Sequence, residues 1–162
     1  MIGTKILLIF VFTAIGTAAG FTVMRAYRRD LAYLSGVCAM IDELKRNISY
    51  RKDGAADILR GYKSESDRLT VNIGEYLKYA AEKDGTLEIS KGALSAPVHK
   101  AVCGFFASLG RSDGDAQLKE LDAYGSSFGK LRDAAKEKSE KYGALAVKLG
   151  FLFGLGVGVL FL

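Results

Sequence analysis

Between Lys5 and Arg25 the chain carries no charged side chain, and the intervening segment, ILLIFVFTAIGTAAGFTVM from Ile6 to Met24, is nineteen residues long. As a helix rising about 1.5 Å per residue it reaches about 28 Å, close to the ~30 Å hydrocarbon core of a bilayer. A helix in the core of a soluble domain shows polar side chains at helical spacing, and this segment offers only small threonines. It is expected to span a membrane. The rival reading is a cleaved leader, because Lys5 precedes the run and Thr17-Ala18-Ala19 resembles a cleavage site. Against it, the run exceeds the ~7–15 apolar residues of a leader core, and Arg25, Arg28 and Arg29 beyond it resist translocation.

The C-terminal end repeats the pattern. Leu149 to Leu162 is free of charge, but fourteen residues reach only about 21 Å. Adding Ala144 to Val147, with Lys148 snorkelling its amine toward headgroups, brings the span to about 28 Å. The alternative is a buried last helix of a soluble domain. Glycine speaks for lipid: Gly150, Gly154 and Gly158 are spaced GxxxGxxxG, and Gly16 and Gly20 form GxxxG in the first segment. Each would cost a water-exposed helix roughly 1 kcal/mol, whereas in lipid such glycines form flat faces on which backbones approach closely.

Two spans that bracket everything else make a hairpin, with residues 1–25 as one membrane helix, 26–147 as a helical domain, and 148–162 as the second membrane helix, its span beginning near 144. Loop basicity sets the orientation. Arg25, Arg28 and Arg29 flank the domain at one junction, and Lys136, Lys138, Lys141 and Lys148 at the other. The domain is therefore expected in the cytoplasm. These basic residues are also expected to face lipid headgroups, where each contributes roughly 1 kcal/mol. They account for the net charge of +5 without a basic stripe in the middle, so no nucleic-acid partner is expected. Cys38 and Cys103 lack CxxC or Cys/His spacing and are expected as reduced residues on apolar helix faces.

The middle reads as all-α. Leu31, Leu34, Cys38, Ile41, Leu44 and Ile48 recur at three- and four-residue intervals, an amphipathic helix continuing from the first span. Leu118, Leu121, Tyr124, Phe128, Leu131, Ala135, Tyr142 and Leu145 give a second, longer stripe that starts near Asp115 and continues into the last span. The cheapest way to bury both is antiparallel packing, stripe on stripe, in a small helical bundle. Shorter helices connect them. One carries Ala55, Ala56, Ile58, Leu59 and Tyr62 with Asp53 as candidate cap; another carries Val71, Ile73, Tyr76, Leu77, Tyr79 and Ala80 and stops before Asp84-Gly85. A third begins at Ser95-Ala96-Pro97 and carries Val98, Ala101, Val102, Phe105, Phe106 and Leu109. TLEI at 86–89 is too short to make a hairpin.

A deliberate break precedes the last helix. Gly110 suits the left-handed position after a helix end, Ser112 is the candidate cap of the next helix, and Asp113 and Asp115 complement its positive end. A capped turn with no further role explains these residues. The stretch LGRSDGDAQLKEL nevertheless resembles the LG-x-SD-x-x-x-Q-x-x-x-L segment of the stage III sporulation protein AB family, through Leu109, Gly110, Ser112, Asp113, Gln117 and Leu121. The layout of spans and domain is similar too, while residues 50–95 depart from the family pattern.

The resemblance implies a helical bundle similar to the cytoplasmic domain of the type II secretion platform protein. It also implies a subunit of the mother cell–forespore assembly, a secretion-like apparatus with an ATPase and ring-forming membrane proteins. Partners would be other subunits of that apparatus, with Gly110, Ser112, Asp113, Gln117 and Leu121 as the interaction or structural residues.

No catalytic chemistry is expected. His99 is the only histidine, expected at the surface early in its helix, and there is no HExxH, CxxC or GxxxxGK[ST]. No metal, cofactor or small-molecule substrate is expected. The competing functions are an exported helical binding protein whose N-terminal segment is removed, and a membrane hydrolase using His99 as base.

Overall fold

The chain's single proline lies at position 97, and no proline interrupts residues 2–51. They form one continuous helix, α1 (Ile2–Arg51). The computed structural model describes residues 2–51, 54–82 and 85–160, with backbone alone for 2–5 and 51. After α1 come α2 (Ala55–Gly61), α3 (Asp67–Ala81), α4 (Ala96–Ser108) and the 47-residue α5 (Gly114–Leu160). Among the described residues there is no strand, and the fold is all-α. Asp53, the candidate cap of α2, and Asp84, the expected turn residue, lie outside the described residues, as does the side chain of Lys5.

Two compact units make up the chain, Ala32–Arg132 and the pair of segments Met1–Leu31 and Asp133–Leu162. In the Ala32–Arg132 unit, the upper part of α1 is buried over a wide arc. Tyr33, Leu34, Val37, Met40, Ile41, Leu44 and Ile48 are all in the core. The expected stripe supplied Leu34, Ile41, Leu44 and Ile48. Tyr33, Val37 and Met40 are buried as well because α1 packs on more than one neighbour. α5 lies against it where Ile41 meets Gly125 and Lys45 pairs with Asp122 at 2.5 Å. α3 lies against it where Gly36 faces Leu69 and the Tyr33 hydroxyl reaches Asn72. α3 buries Leu69, Asn72, Ile73 and Tyr76, while Val71 is exposed.

α4 brings Val102, Phe105 and Phe106 into the same core. Phe105 is its centre: its ring meets Phe106, Tyr124 and Phe128 edge-on at centroid distances of 5.2, 5.4 and 6.0 Å. Edge-to-face pairs place the positive ring edge on the negative face and add about 0.5–1.5 kcal/mol each beyond area burial. Tyr76 closes the cluster from α3, 5.5 Å from Phe106, and donates its hydroxyl to the Leu109 carbonyl at the end of α4 (3.3 Å).

A polar chain running from the core to the surface fastens the connecting segment. The Tyr33 hydroxyl donates to Asn72 Oδ1 (3.0 Å), and Asn72 Nδ2 donates to Glu75 Oε2 (3.1 Å). Glu75 in turn accepts from the Ser90 amide (2.9 Å) and the Ser90 hydroxyl. Burial pushes the Tyr33 phenol up, disfavouring its charged form. Burial also works to raise the Glu75 carboxyl, but the hydrogen bonds from Ser90 and Asn72 outweigh it and hold the group below its ordinary range.

Candidate functional site

Two features could serve function, one in each unit. In the unit formed by Met1–Leu31 and Asp133–Leu162, α1 and α5 run antiparallel in van der Waals contact. A Cβ at Gly158 would lie 2.9 Å from Ile9 Cα; one at Gly154 would strike the Phe12 carbonyl and Thr13 Cα; one at Gly150 or Gly16 would strike the other's carbonyl. At Gly20 it would lie 2.6 Å from the Ala146 carbonyl and 2.8 Å from Val147 Cα, and Gly143 faces Met24. The five glycines singled out from the sequence thus meet on one seam. Their four-residue spacing stacks them along one ridge of each helix, and only a residue without Cβ fits where two backbones come this close.

This unit is inverted relative to a soluble domain. Among its described residues the buried ones are Gly20, Gly143, Gly154 and Gly158. Large apolar side chains point outward, including Phe10, Ile15, Phe21, Phe151, Leu152 and Phe153. Tyr142 and Leu145, expected on the buried stripe of α5, are each 44 % exposed. The stripe changes sides because glycine replaces bulk at the seam, leaving no room there for large side chains. In the most apolar window of α1 only 6 % of residues are buried, and in that of α5 17 %. A helix in a soluble core would be mostly buried. The hydroxyls of Thr13, Thr17 and Thr22 donate to the carbonyls of Ile9, Thr13 and Ala19, so each finds its partner within its own helix. Arg25, Arg28, Arg29 and Lys148 are all exposed.

The second feature is the turn from α4 into α5, within Ala32–Arg132. Gly110 follows the end of α4 with φ of 77°, the left-handed conformation expected of it. The cap of α5 differs from expectation. Asp113, not Ser112, occupies the N-cap: its Oδ1 accepts from the Ala116 amide (3.1 Å), and its carbonyl accepts from the Gln117 amide (2.8 Å). The helix begins one residue later than a serine cap requires, and a carboxylate gains more from the positive helix end than a hydroxyl does. Ser112 instead donates to Glu120 Oε1 (3.1 Å). Leu121 is buried in the core.

Gln117 is the unusual member. It is 7 % exposed, and its Nε2 is buried with no hydrogen-bond partner among the described residues. An unsatisfied buried donor costs about 1–3 kcal/mol. Gln117 is one of the residues around a groove of about 560 Å³ whose walls come from Ile48 and Ser49 of α1, Ala55 of α2, Gly110 and Asp113 of the turn, and Leu118 of α5, but its Nε2 is covered from that space. The expected stripe began at Leu118 and passed Gln117 over, although residues 117, 121, 124 and 128 share one helical face.

His99, expected at the surface, is half-buried, its Nε2 lying 2.8 Å from the Ile89 carbonyl and 3.4 Å from Cys103 Sγ. It ties the segment before α4 to that helix. Burial pushes the Cys103 thiol up, away from the reactive thiolate. Cys38 and Cys103 are both half-buried thiols.

Together these features define an all-helical protein with two helices long and apolar enough to cross a membrane, joined along a glycine seam. The sequence model of the stage III sporulation protein AB family matches residues 5–162, essentially the whole chain, and the chain belongs to that family. Membership places it in sporulation. Searches among curated proteins and among solved structures gave no match.

Proposed function

We propose that the protein is a non-catalytic membrane subunit of the mother cell–forespore apparatus. In this reading it spans the membrane twice and holds its helical domain in the cytoplasm. There it acts as platform or adaptor between a cytoplasmic ATPase and membrane ring proteins. The observation that carries the reading is the inverted unit, with glycines buried and phenylalanines and leucines turned outward. Such a surface is favourable in lipid and costly in water, by roughly 25 cal/mol per Å² of exposed apolar area. Four basic residues beside the apolar segments, Arg25, Arg28, Arg29 and Lys148, support the cytoplasmic placement.

Co-purification tests it. Affinity capture of the full chain from detergent-solubilised membranes of sporulating cells is expected to recover the ATPase and at least one ring-forming subunit. Recovery of neither refutes the adaptor role. The leader-peptide alternative is separated by intact mass, since an exported form would begin near Gly20.

A further inference from the structure

A groove of about 650 Å³ runs beside the glycine seam, within the unit formed by Met1–Leu31 and Asp133–Leu162. Gly16, Ala19 and Gly20 of α1 and Ala146, Leu149 and Leu152 of α5 are among the residues that line it, and no charged residue does. Its volume lies within the ~300–1,000 Å³ range of ligand pockets, and from Gly16 to Val23 it extends about 10 Å along α1. In hydrocarbon no water fills such a groove, so an apolar group must.

The Val23–Ala146 end of the groove is basic. Gly143 faces Met24, where the charge-free run of α1 ends, so Lys141 and Tyr142 stand at headgroup level. Tyr142 precedes Ala146 by four residues, and Lys141 and Lys148 precede Leu152 by eleven and four, spacings that put all three on the groove's side of α5. The Lys141 amine lies 5.6 Å from the centroid of the Tyr142 ring, a cation–π contact. Lys148 stands deeper, next to Val147, whose Cα packs on Gly20. Lys148 is exposed and makes no ion pair among the described residues. A cation at that depth is costly unless it meets an anion or reaches the headgroups.

An apolar groove that opens on two lysines and a tyrosine complements an acyl chain that ends in a phosphate. A second copy of the chain fits less well. In the same bilayer its Arg25, Arg28 and Arg29 would arrive at the level of Lys141, like charge against like. A phospholipid brings the missing anion.

We propose that this groove binds one anionic phospholipid, an acyl chain lying against Gly16, Ala19 and Gly20 while Lys148 and Lys141 hold the phosphate. The proposal deepens the membrane-spanning reading, on which it rests, by naming a discrete lipid site.

The test uses the full chain purified in detergent, with phosphatidylglycerol and phosphatidylcholine of matched acyl chains as probes. Native mass spectrometry counts the lipids retained. One phosphatidylglycerol per chain is expected, held about tenfold or more tightly than phosphatidylcholine. Lys141→Gln/Lys148→Gln should erase that preference. Arg25→Gln/Arg28→Gln removes as much charge, off the helical face that carries residues 16, 19, 20 and 23, and should keep it. Ala19→Phe fills the groove and should abolish retention of both lipids, whereas Ala18→Phe, exposed outside the groove, should not. No retained lipid, equal retention of the two lipids, or an unchanged preference in the double lysine variant each overturns the proposal. So does equal loss in the arginine control, retention by Ala19→Phe, or a persistent dimer that Ala19→Phe dissociates. The two readings fail separately. Release of the chain from phosphatidylglycerol vesicles by carbonate removes the membrane-spanning reading, whereas a chain that resists carbonate but shows no lipid preference removes the lipid site alone.

Discussion

The hydrogen bond between Tyr33 and Asn72 joins residues 39 apart in sequence, and both are almost wholly inaccessible, at 2 % and 0 % exposed. Its contribution is measurable by a double-mutant cycle. Tyr33→Phe keeps the ring and leaves Asn72 Oδ1 without its donor, which costs about 1–3 kcal/mol. Asn72→Ala leaves the Tyr33 hydroxyl without an acceptor, removes a donor from Glu75, and opens a small cavity, together about 2–4 kcal/mol. In the double variant neither orphan remains, so its cost should fall short of the sum by about 1 kcal/mol or more. Urea unfolding of the full chain in mild detergent, followed by far-UV circular dichroism, reads all four corners. For a unit of this size each kcal/mol also moves the melting temperature by about 4–8 °C. Single costs that add to the double within about 0.3 kcal/mol would show that the bond contributes nothing specific.

Other consequences are as direct. Valine at Gly16, Gly150 or Gly154 forces the helices apart, so an oxidative cross-link between cysteines placed at 24 and 143 should form severalfold more slowly; an unchanged rate contradicts the seam. Asp113→Ala should cost about 0.5–2 kcal/mol as loss of a cap, and Ser112→Ala clearly less; the reverse order in thermal unfolding would return the cap to Ser112. Glu75 has a lowered folded-state value, so its contribution is full above its ordinary value of about 4.5 and is lost as pH falls through the lower folded value. The unfolding midpoint should therefore decline below about pH 4.5, less steeply in Glu75→Gln, and parallel profiles for the two would remove Glu75 as a cause.

The long helices were legible because each carries a periodic stripe running into a charge-free segment, and neither contains proline. The turn was legible because Gly110 and the Ser112–Asp115 cluster are local signals. Which of two adjacent capping residues is used was not, since either closes the first turn and the choice depends on where Gly110 leaves the chain. The burial of Tyr33, Val37 and Met40 was missed because it depends on α3 and α5 arriving from distant sequence, although 33, 37, 40 and 44 do share a helical face. The Tyr33–Asn72–Glu75–Ser90 chain has no local signature beyond a polar residue, Asn72, in the middle of an apolar face. Tyr142 and Leu145 were read inward because periodicity reports a stripe without reporting which side a glycine seam will take.

The central claim is topological, and cysteine accessibility in oriented vesicles tests it. In a background with Cys38 and Cys103 replaced by serine, one variant carries Gly85→Cys and another a cysteine appended after Leu162. In inside-out membrane vesicles a membrane-impermeant maleimide is expected to label the cysteine at 85 at once and the appended one only after detergent. Labelling in the opposite order, or of both sites before detergent, would contradict a chain that crosses the membrane twice with residues 26–147 in the cytoplasm.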